Sequence, residues 1–198
     1  FFARRLSYRE LHSLADRAAA GLQRLGVRPG DRVGLYLPNC PQYPIAFFGA
    51  LKAGAIVVNY SPLDAEAMLA RKVEDSGTDV LVTLDLEVLL PKAESLLART
   101  RLGKLVVGGL ADFAGLPIPA QCAVPRDAAH VRFLELLDND GGYWPCAIED
   151  PATHIAVLQY TGGTTGTPKG ASLTHGNISM AAAQCVETTR GEPRSMLP

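Results

Sequence analysis

The sequence is poor in the features from which metal centres, disulfide frameworks and membrane spans are built. Its four cysteines, at positions 40, 122, 146 and 185, include no close pair, and no histidine stands at a metal-ligand interval from them. A structural zinc site would need such clustering, so reduced, mostly structural thiols are expected. No apolar run is long enough to cross a bilayer, and the opening FFARRLSYRE lacks the apolar stretch of a signal peptide. An excess of charge is missing too. The chain has 19 basic and 20 acidic side chains, a net charge of -1, and no long block of either sign. That argues against a broad polyanion-binding face, and so against nucleic acid as a partner, while leaving room for a small local anion site. A soluble, cytoplasmic chain is the expectation. Arg4, Arg5 and Arg9 form a modest positive patch that reads first as solvated surface; peripheral attraction of a parent protein to the inner face of the membrane is the alternative.

What is present is a folded core. At 198 residues and 47% hydrophobic content, the chain has the material for one substantial domain. Ser7 precedes Glu10 at capping-box spacing, and Leu11, Leu14, Ala15, Ala18, Leu22 and Leu25 then follow a helical period. Gly26 and RPGD end that helix, and Arg32 to Leu37 reads as a strand. The cycle repeats. Pro41 and Pro44 stand near a helix start, IAFFGALKAG runs to Gly54, and a strand follows at 55–59. Helices near 64–76 and 86–99 alternate with strands at 79–84 and 104–107. Residues 108–129 break the rhythm and read as a surface excursion or, alternatively, an interdomain linker. Helix is expected at 131–137, strand at 154–160, a brief strand at 171–174, and helix at 177–187 capped by Thr174 or His175. The pattern predicts α/β architecture, a mostly parallel sheet flanked by helices.

The chemistry concentrates in YTGGTTGTPKG, residues 160–170, which holds four glycines, four threonines, one proline and one lysine. It leaves the apolar run HIAVLQY, and ligands of open α/β sheets gather beyond strand carboxyl ends. Gly162, Gly163 and Gly166 permit successive N–H groups to turn toward one anion. Thr161, Thr164, Thr165 and Thr167 add hydroxyl donors, and Lys169 a positive charge. The stretch is not a P-loop, because Lys169 follows proline and Gly170 stands where Ser or Thr would meet magnesium. It is not a dinucleotide fingerprint either. Composition and placement alone leave open a phosphate cradle or a plain flexible connector.

At these residues the chain resembles the AMP-forming acyl-adenylate family, whose phosphate loop has the form Y-T-S/G-G-T-T-G-x-P-K-G. The resemblance extends to LTHGN at 173–177, to residues 6–63, and to EDSGTDVLVT at 74–83. It implies that the chain is an incomplete part of the large N-terminal AMP-binding domain, with residues 1–198 a partial domain. By position it implies that Thr161, Gly162, Gly163, Thr164, Thr165, Gly166, Thr167 and Lys169 cradle the β- and γ-phosphates of ATP and the departing pyrophosphate. ATP, Mg2+ and CoA are the implied cofactor and co-substrates. Gly163, where many relatives carry serine, and VVNYSPL resemble the fatty acyl-CoA ligases, so a medium- or long-chain fatty acid is the expected substrate. The alternatives are a peptide-synthetase adenylation domain, an aryl-CoA ligase, or a nucleotide-binding module without catalysis.

The chain starts at Phe1 and stops at SMLP as an apolar segment begins, so a piece of a longer protein is expected. The family's aromatic-histidine and Y-G-x-T-E segments, ribose aspartate and adenylation lysine do not appear. No catalytic or metal-binding residue is therefore assigned, the isolated chain is expected to be inactive, and an exposed sheet edge is expected to favour self-association. Simpler roles are assigned elsewhere: packing or capping for His175, a partly exposed helical position for His12, core packing for Phe47 and Phe48, turns and helix ends for Asp31 and Asp75. Trp144, in its loop, reads mainly as a surface residue, with an interaction surface as the minor alternative.

Overall fold

The computed structural model describes residues 1–161 and 169–189. Their strands form one seven-stranded sheet: β1 (Arg32–Leu35), β2 (Ile56–Asn59), β3 (Val80–Leu84), β4 (Lys104–Gly108), β5 (His130–Arg132), β6 (Ile155–Thr161) and β7 (Lys169–Thr174). The helices are α1 (Tyr8–Arg24), α2 (Gln42–Lys52), α3 (Glu66–Ser76), α4 (Leu90–Arg99), α5 (Phe133–Leu136) and α6 (His175–Thr189). Across the sheet the strand order is β5-β4-β3-β1-β2-β6-β7. All neighbours are parallel except β6 and β7, which pair antiparallel.

The order follows from crossover handedness. A right-handed β1-α2-β2 unit puts α2 on one face, and the return of β2 past β1 to β3 puts α3 and then α4 on the other. Strands covered on both faces should be apolar throughout, and β3 is buried at all five positions. The helices that cover the sheet contribute Leu69, Val73 and Leu96 from α3 and α4 and Leu22, Ile45 and Ala50 from α1 and α2, all essentially inaccessible. The α1–α2 contact is close because small residues meet there. A Cβ built on Gly49 would lie 2.5 Å from the Ala18 methyl. Helix α1 begins where local chemistry demands it: Ser7 Oγ accepts from the Glu10 N–H, and the Glu10 carboxylate accepts from the Ser7 N–H at 2.8 Å.

Two expectations change. Residues His130–Arg132 are a strand, not the start of a helix, because their backbone pairs with Leu105–Val107 of β4. That pairing makes residues 108–129 an excursion within one sheet. Phe47 packs against the core, but Phe48 on the next helical position is 46% exposed. At the other edge, β7 is largely exposed and α6 buries none of its described residues. Thr174 caps α6, accepting from the Asn177 N–H at 3.1 Å.

Gly34 in β1 has no room for a side chain. A Cβ there would meet Leu81 Cδ1 at 2.5 Å and Tyr60 Cε2 at 2.7 Å. Gly34→Val is expected to destabilise the fold by about 1–3 kcal/mol through overpacking, read as a lower urea midpoint at unchanged slope. Gly26→Val, with no atom within 4 Å of the built Cβ but φ at +98°, separates backbone strain from crowding as a control.

Candidate nucleotide-binding hairpin

The hairpin of β6 and β7 carries the glycine and threonine loop at its tip. Its last ladder pairs are Tyr160 with Gly170 and Thr161 with Lys169. The structure therefore brings two of the eight expected phosphate-loop residues, Thr161 and Lys169, face to face at the mouth. The other six, Gly162, Gly163, Thr164, Thr165, Gly166 and Thr167, lie outside the described residues.

Side chains on alternate faces of β6 fix the stem just before that mouth. On the α2 face, Asn59 Nδ2 donates to Gln159 Oε1 at 2.8 Å, and Tyr43 Oη donates to Asn59 Oδ1 at 2.8 Å. The polar ladder thus crosses from α2 through β2 to β6. On the α3 face, Tyr160 Oη donates to Asp75 Oδ2 at 2.6 Å. Its ring lies 5.4 Å from the Lys72 ammonium, which in turn is ion-paired with Asp64 at 2.6 Å. Lys72 is only 8% exposed at its side chain, so this pair is shielded from solvent and carries more weight than a surface bridge. Beneath, Tyr60 Oη shares hydrogen bonds with Ser76 Oγ at 3.0 Å and Thr78 Oγ1 at 2.7 Å.

Tyr43, Asn59, Ser61, Lys72, Gln159 and Tyr160 line a cavity of about 230 Å³ that also touches Tyr60. It opens at the carboxyl ends of β2 and β6, where open α/β sheets take ligands. Its lining offers one ammonium, two amides and hydroxyls. With that ammonium already paired with Asp64, the set suits a polar group rather than an alkyl chain. Among the described residues, no group of three or more His, Cys, Asp or Glu is placed to hold a metal.

The sequence reading missed Lys72, Asn59 and Gln159, and gave Asp75 a helix-end role. Asp75 instead holds Tyr160 across 85 residues of chain. One signal was available for Lys72. It falls between Leu69, Val73 and Ser76 on the buried face of α3, a position where an unpaired lysine would be costly. His175 has the packing role expected of it. Its ring sits 6.1 Å from that of His154, and desolvation first, then His154, push it below the ordinary histidine range.

Residues 1–197 match the model of the family described as AMP-binding enzyme. The chain belongs to that family. Among curated relatives of this AMP-binding chain, the long-chain-fatty-acid–CoA ligase of Bacillus subtilis is 36% identical over 199 residues, covering 93% of this chain and 35% of the relative. The 4-coumarate–CoA ligase 3 of Oryza sativa is 33% identical over 181 residues, covering 91% and 29%. Among solved structures, a long-chain-fatty-acid-CoA ligase from Archaeoglobus fulgidus aligns with a TM-score of 0.75 and 25% identity, covering 93% of this chain and 33% of that one. An anthranilate CoA ligase in complex with anthranoyl-AMP aligns at 0.76 and 25%, covering 92% and 32%. The AMP-binding chain thus spans about a third of the length of the relatives it matches.

The tyrosines around the hairpin give a pH test of this geometry. Burial raises Tyr60 from 10 to about 12, against the opposing hydrogen bonds of Ser76 and Thr78. Burial, then the Asp64 charge, raises Tyr36 to about 12. Tyr160 is also raised, by burial first and then by the hydrogen bond it gives to Asp75. The fold favours the neutral phenols, so their contribution is complete below pH 10 and is lost as pH climbs from 10 toward 12. Ultraviolet titration is expected to show Tyr36, Tyr60 and Tyr160 ionising late, with unfolding. In Asp75→Asn, Tyr160 should titrate earlier while Tyr36 keeps its value. An unmoved profile would contradict the Tyr160–Asp75 bond.

Proposed function

We propose that this chain supplies the ATP- and pyrophosphate-binding loop of an ATP-dependent fatty acid–CoA ligase. In the proposed reaction a carboxylate oxygen attacks the α-phosphorus of ATP, and the bond to pyrophosphate breaks to leave acyl-AMP. The CoA thiol then attacks the acyl carbon and AMP departs. Adenylation is needed because a carboxylate is a poor acyl donor. The work left to the protein is chiefly to offset charge as it moves onto pyrophosphate.

The observation that carries this reading is the eleven-residue match at 160–170, on a hairpin whose mouth pairs Thr161 with Lys169. The donors fit a polyphosphate. Thr161, Thr164, Thr165 and Thr167 bring hydroxyls, Gly162, Gly163 and Gly166 bring N–H groups on residues without side chains, and Lys169 brings an ammonium on an exposed strand end. Magnesium, when bound with the nucleotide, supplies further charge neutralisation; none of the described residues is assigned to it. Lys169 is a phosphate clamp here and is not given the role of the family's adenylation lysine.

The fatty acid preference is supported by Gly163, by VVNYSPL, and by the long-chain-fatty-acid–CoA ligases among the relatives. An aryl carboxylate is the second reading, favoured by the 4-coumarate–CoA and anthranilate CoA ligase matches. Carboxylate-dependent ATP–pyrophosphate exchange by the protein carrying this chain separates them. Hexanoate or palmitate is expected to outpace acetate, benzoate and 4-coumarate, and a clear preference for acetate or an aryl acid would sink the fatty acid assignment. Lys169→Ala is expected to slow exchange by roughly 10²-fold, in the range for loss of one preorganised donor. Unchanged exchange in that variant would remove the loop from the reaction.

A further inference from the structure

Helix α3 ends on two acids that its own energetics do not favour. Glu74 and Asp75 both stand in the last turn, which holds no basic residue, just before the left-handed Gly77 that closes the helix. Carboxylates at that end oppose the helix dipole. Both residues are exposed, so neither fills the core. What explains each is the group it bonds to beyond the helix.

Glu74 has a structural partner. Its Oε1 accepts from the Arg101 N–H at 2.8 Å, tying α3 to the turn before β4. Asp75 has a different one. Its Oδ2 accepts from Tyr160 Oη at 2.6 Å, and among the described residues it forms no ion pair. A phenol donating to a carboxylate makes a charge-assisted bond of the short, strong class. The Lys72 carbonyl, at 3.4 Å, is the weaker alternative acceptor for the same hydroxyl.

Tyr160 is where α3 meets both strands of the hairpin. It directly precedes Thr161, and its ladder partner Gly170 directly follows Lys169. A Cβ built on Gly170 would lie 3.4 Å from Tyr160 Cε1 and Cζ, so the phenol ring lies against the β7 backbone as well as belonging to β6. The ring also lies 5.4 Å from the Lys72 ammonium. One side chain therefore touches both sides of the mouth, and its polar tip has one charged anchor.

We infer that Asp75 is a positioning residue for the phosphate loop, acting through the Tyr160 ring on Thr161 and Lys169. The inference rests on the proposed function of that loop. Donors stabilise a developing charge only when already aimed at it, and a small displacement of a reacting group is costly in rate. By fixing the phenol, Asp75 fixes the direction in which the two strands reach the mouth. This role accounts for an acid kept where the helix dipole opposes it.

The test is ATP–pyrophosphate exchange at saturating MgATP by the protein carrying this chain. The carboxylate is whichever of palmitate, hexanoate and 4-coumarate the wild type turns over fastest. Asp75→Ala is expected to lower kcat by roughly tenfold, within the range that remote misplacement produces. Asp75→Asn, which keeps a neutral acceptor, is expected to lose less. Tyr160→Phe combined with Asp75→Ala should lose no more than Tyr160→Phe alone, because both act through one bond. Glu74→Ala is the helix-end control and should keep the wild-type kcat; urea midpoints establish that each variant is folded under assay conditions. Wild-type kcat in Asp75→Ala, with Lys169→Ala slowed, would overturn this inference alone. So would a loss that disappears at saturating MgATP, losses that multiply in the double variant, or an equal loss in Glu74→Ala, which would return Asp75 to a helix-end role. Unchanged exchange in Lys169→Ala would instead remove the loop from the reaction and take this inference with it.

Discussion

The arrangement depends on β6 having two kinds of neighbour. Parallel pairing with β2 aligns Val57, Val58 and Asn59 with Val157, Leu158 and Gln159, so β6 ends at the carboxyl edge of the sheet. Antiparallel pairing with β7 then sends the chain straight back, with Thr161 opposite Lys169. A parallel continuation would have needed a crossover and carried the lysine away from the loop. Because the return is a hairpin, a cation and a hydroxyl stand on either side of one mouth. The Asn59–Gln159 and Asp75–Tyr160 bonds hold that register from opposite faces of the sheet.

On the proposed phosphate-loop reading, the division between stem and tip has a chemical purpose. Donors lower the energy of a developing charge only to the extent that they are already aimed at it. Glycine-rich backbone gives N–H groups access to an anion, yet its conformational freedom opposes preorganisation. The stem answers that conflict with bonds that reach across the sequence. Tyr43, acting through Asn59, and Lys72 come from separate helices and reach the consecutive β6 residues Gln159 and Tyr160. Mutation of a stem residue should therefore act through the loop without touching the nucleotide, as a positioning effect.

Much of this was legible from the sequence where the determining physics is local. The Ser7–Glu10 cap, the glycine stop after α1 and the apolar strands needed only near neighbours in the chain. Their placement agreed with the structure to within a few residues. β5 was misread because His-Val-Arg has no intrinsic pattern; its extended form comes from pairing with β4. Phe48 was assigned to the core because composition favours burial. The helix turns that position outward while Phe47 packs inward. At the site, the loop announced itself by composition, and its family resemblance carried the implied roles. Its support could not be read the same way. Asp75 and Lys72 sit on an ordinary amphipathic helix, and their partner Tyr160 lies more than eighty residues away.

Lys72 illustrates why a buried cation is informative here. Moved into a low-dielectric setting, an ammonium must be compensated, and apolar replacements would often serve stability as well. Asp64 neutralises its charge, while the Tyr160 ring supplies a π-face on another side. The result couples the residues after β2, helix α3 and the hairpin stem through one charged group. A leucine at position 72 could fill the space but could not bind Asp64 and the ring together. The same residue lines the cavity below the hairpin mouth. Compensation of one buried charge and support of the hairpin stem are thus achieved by the same residue, and this gives α3 a part in holding the hairpin that its sequence alone did not reveal.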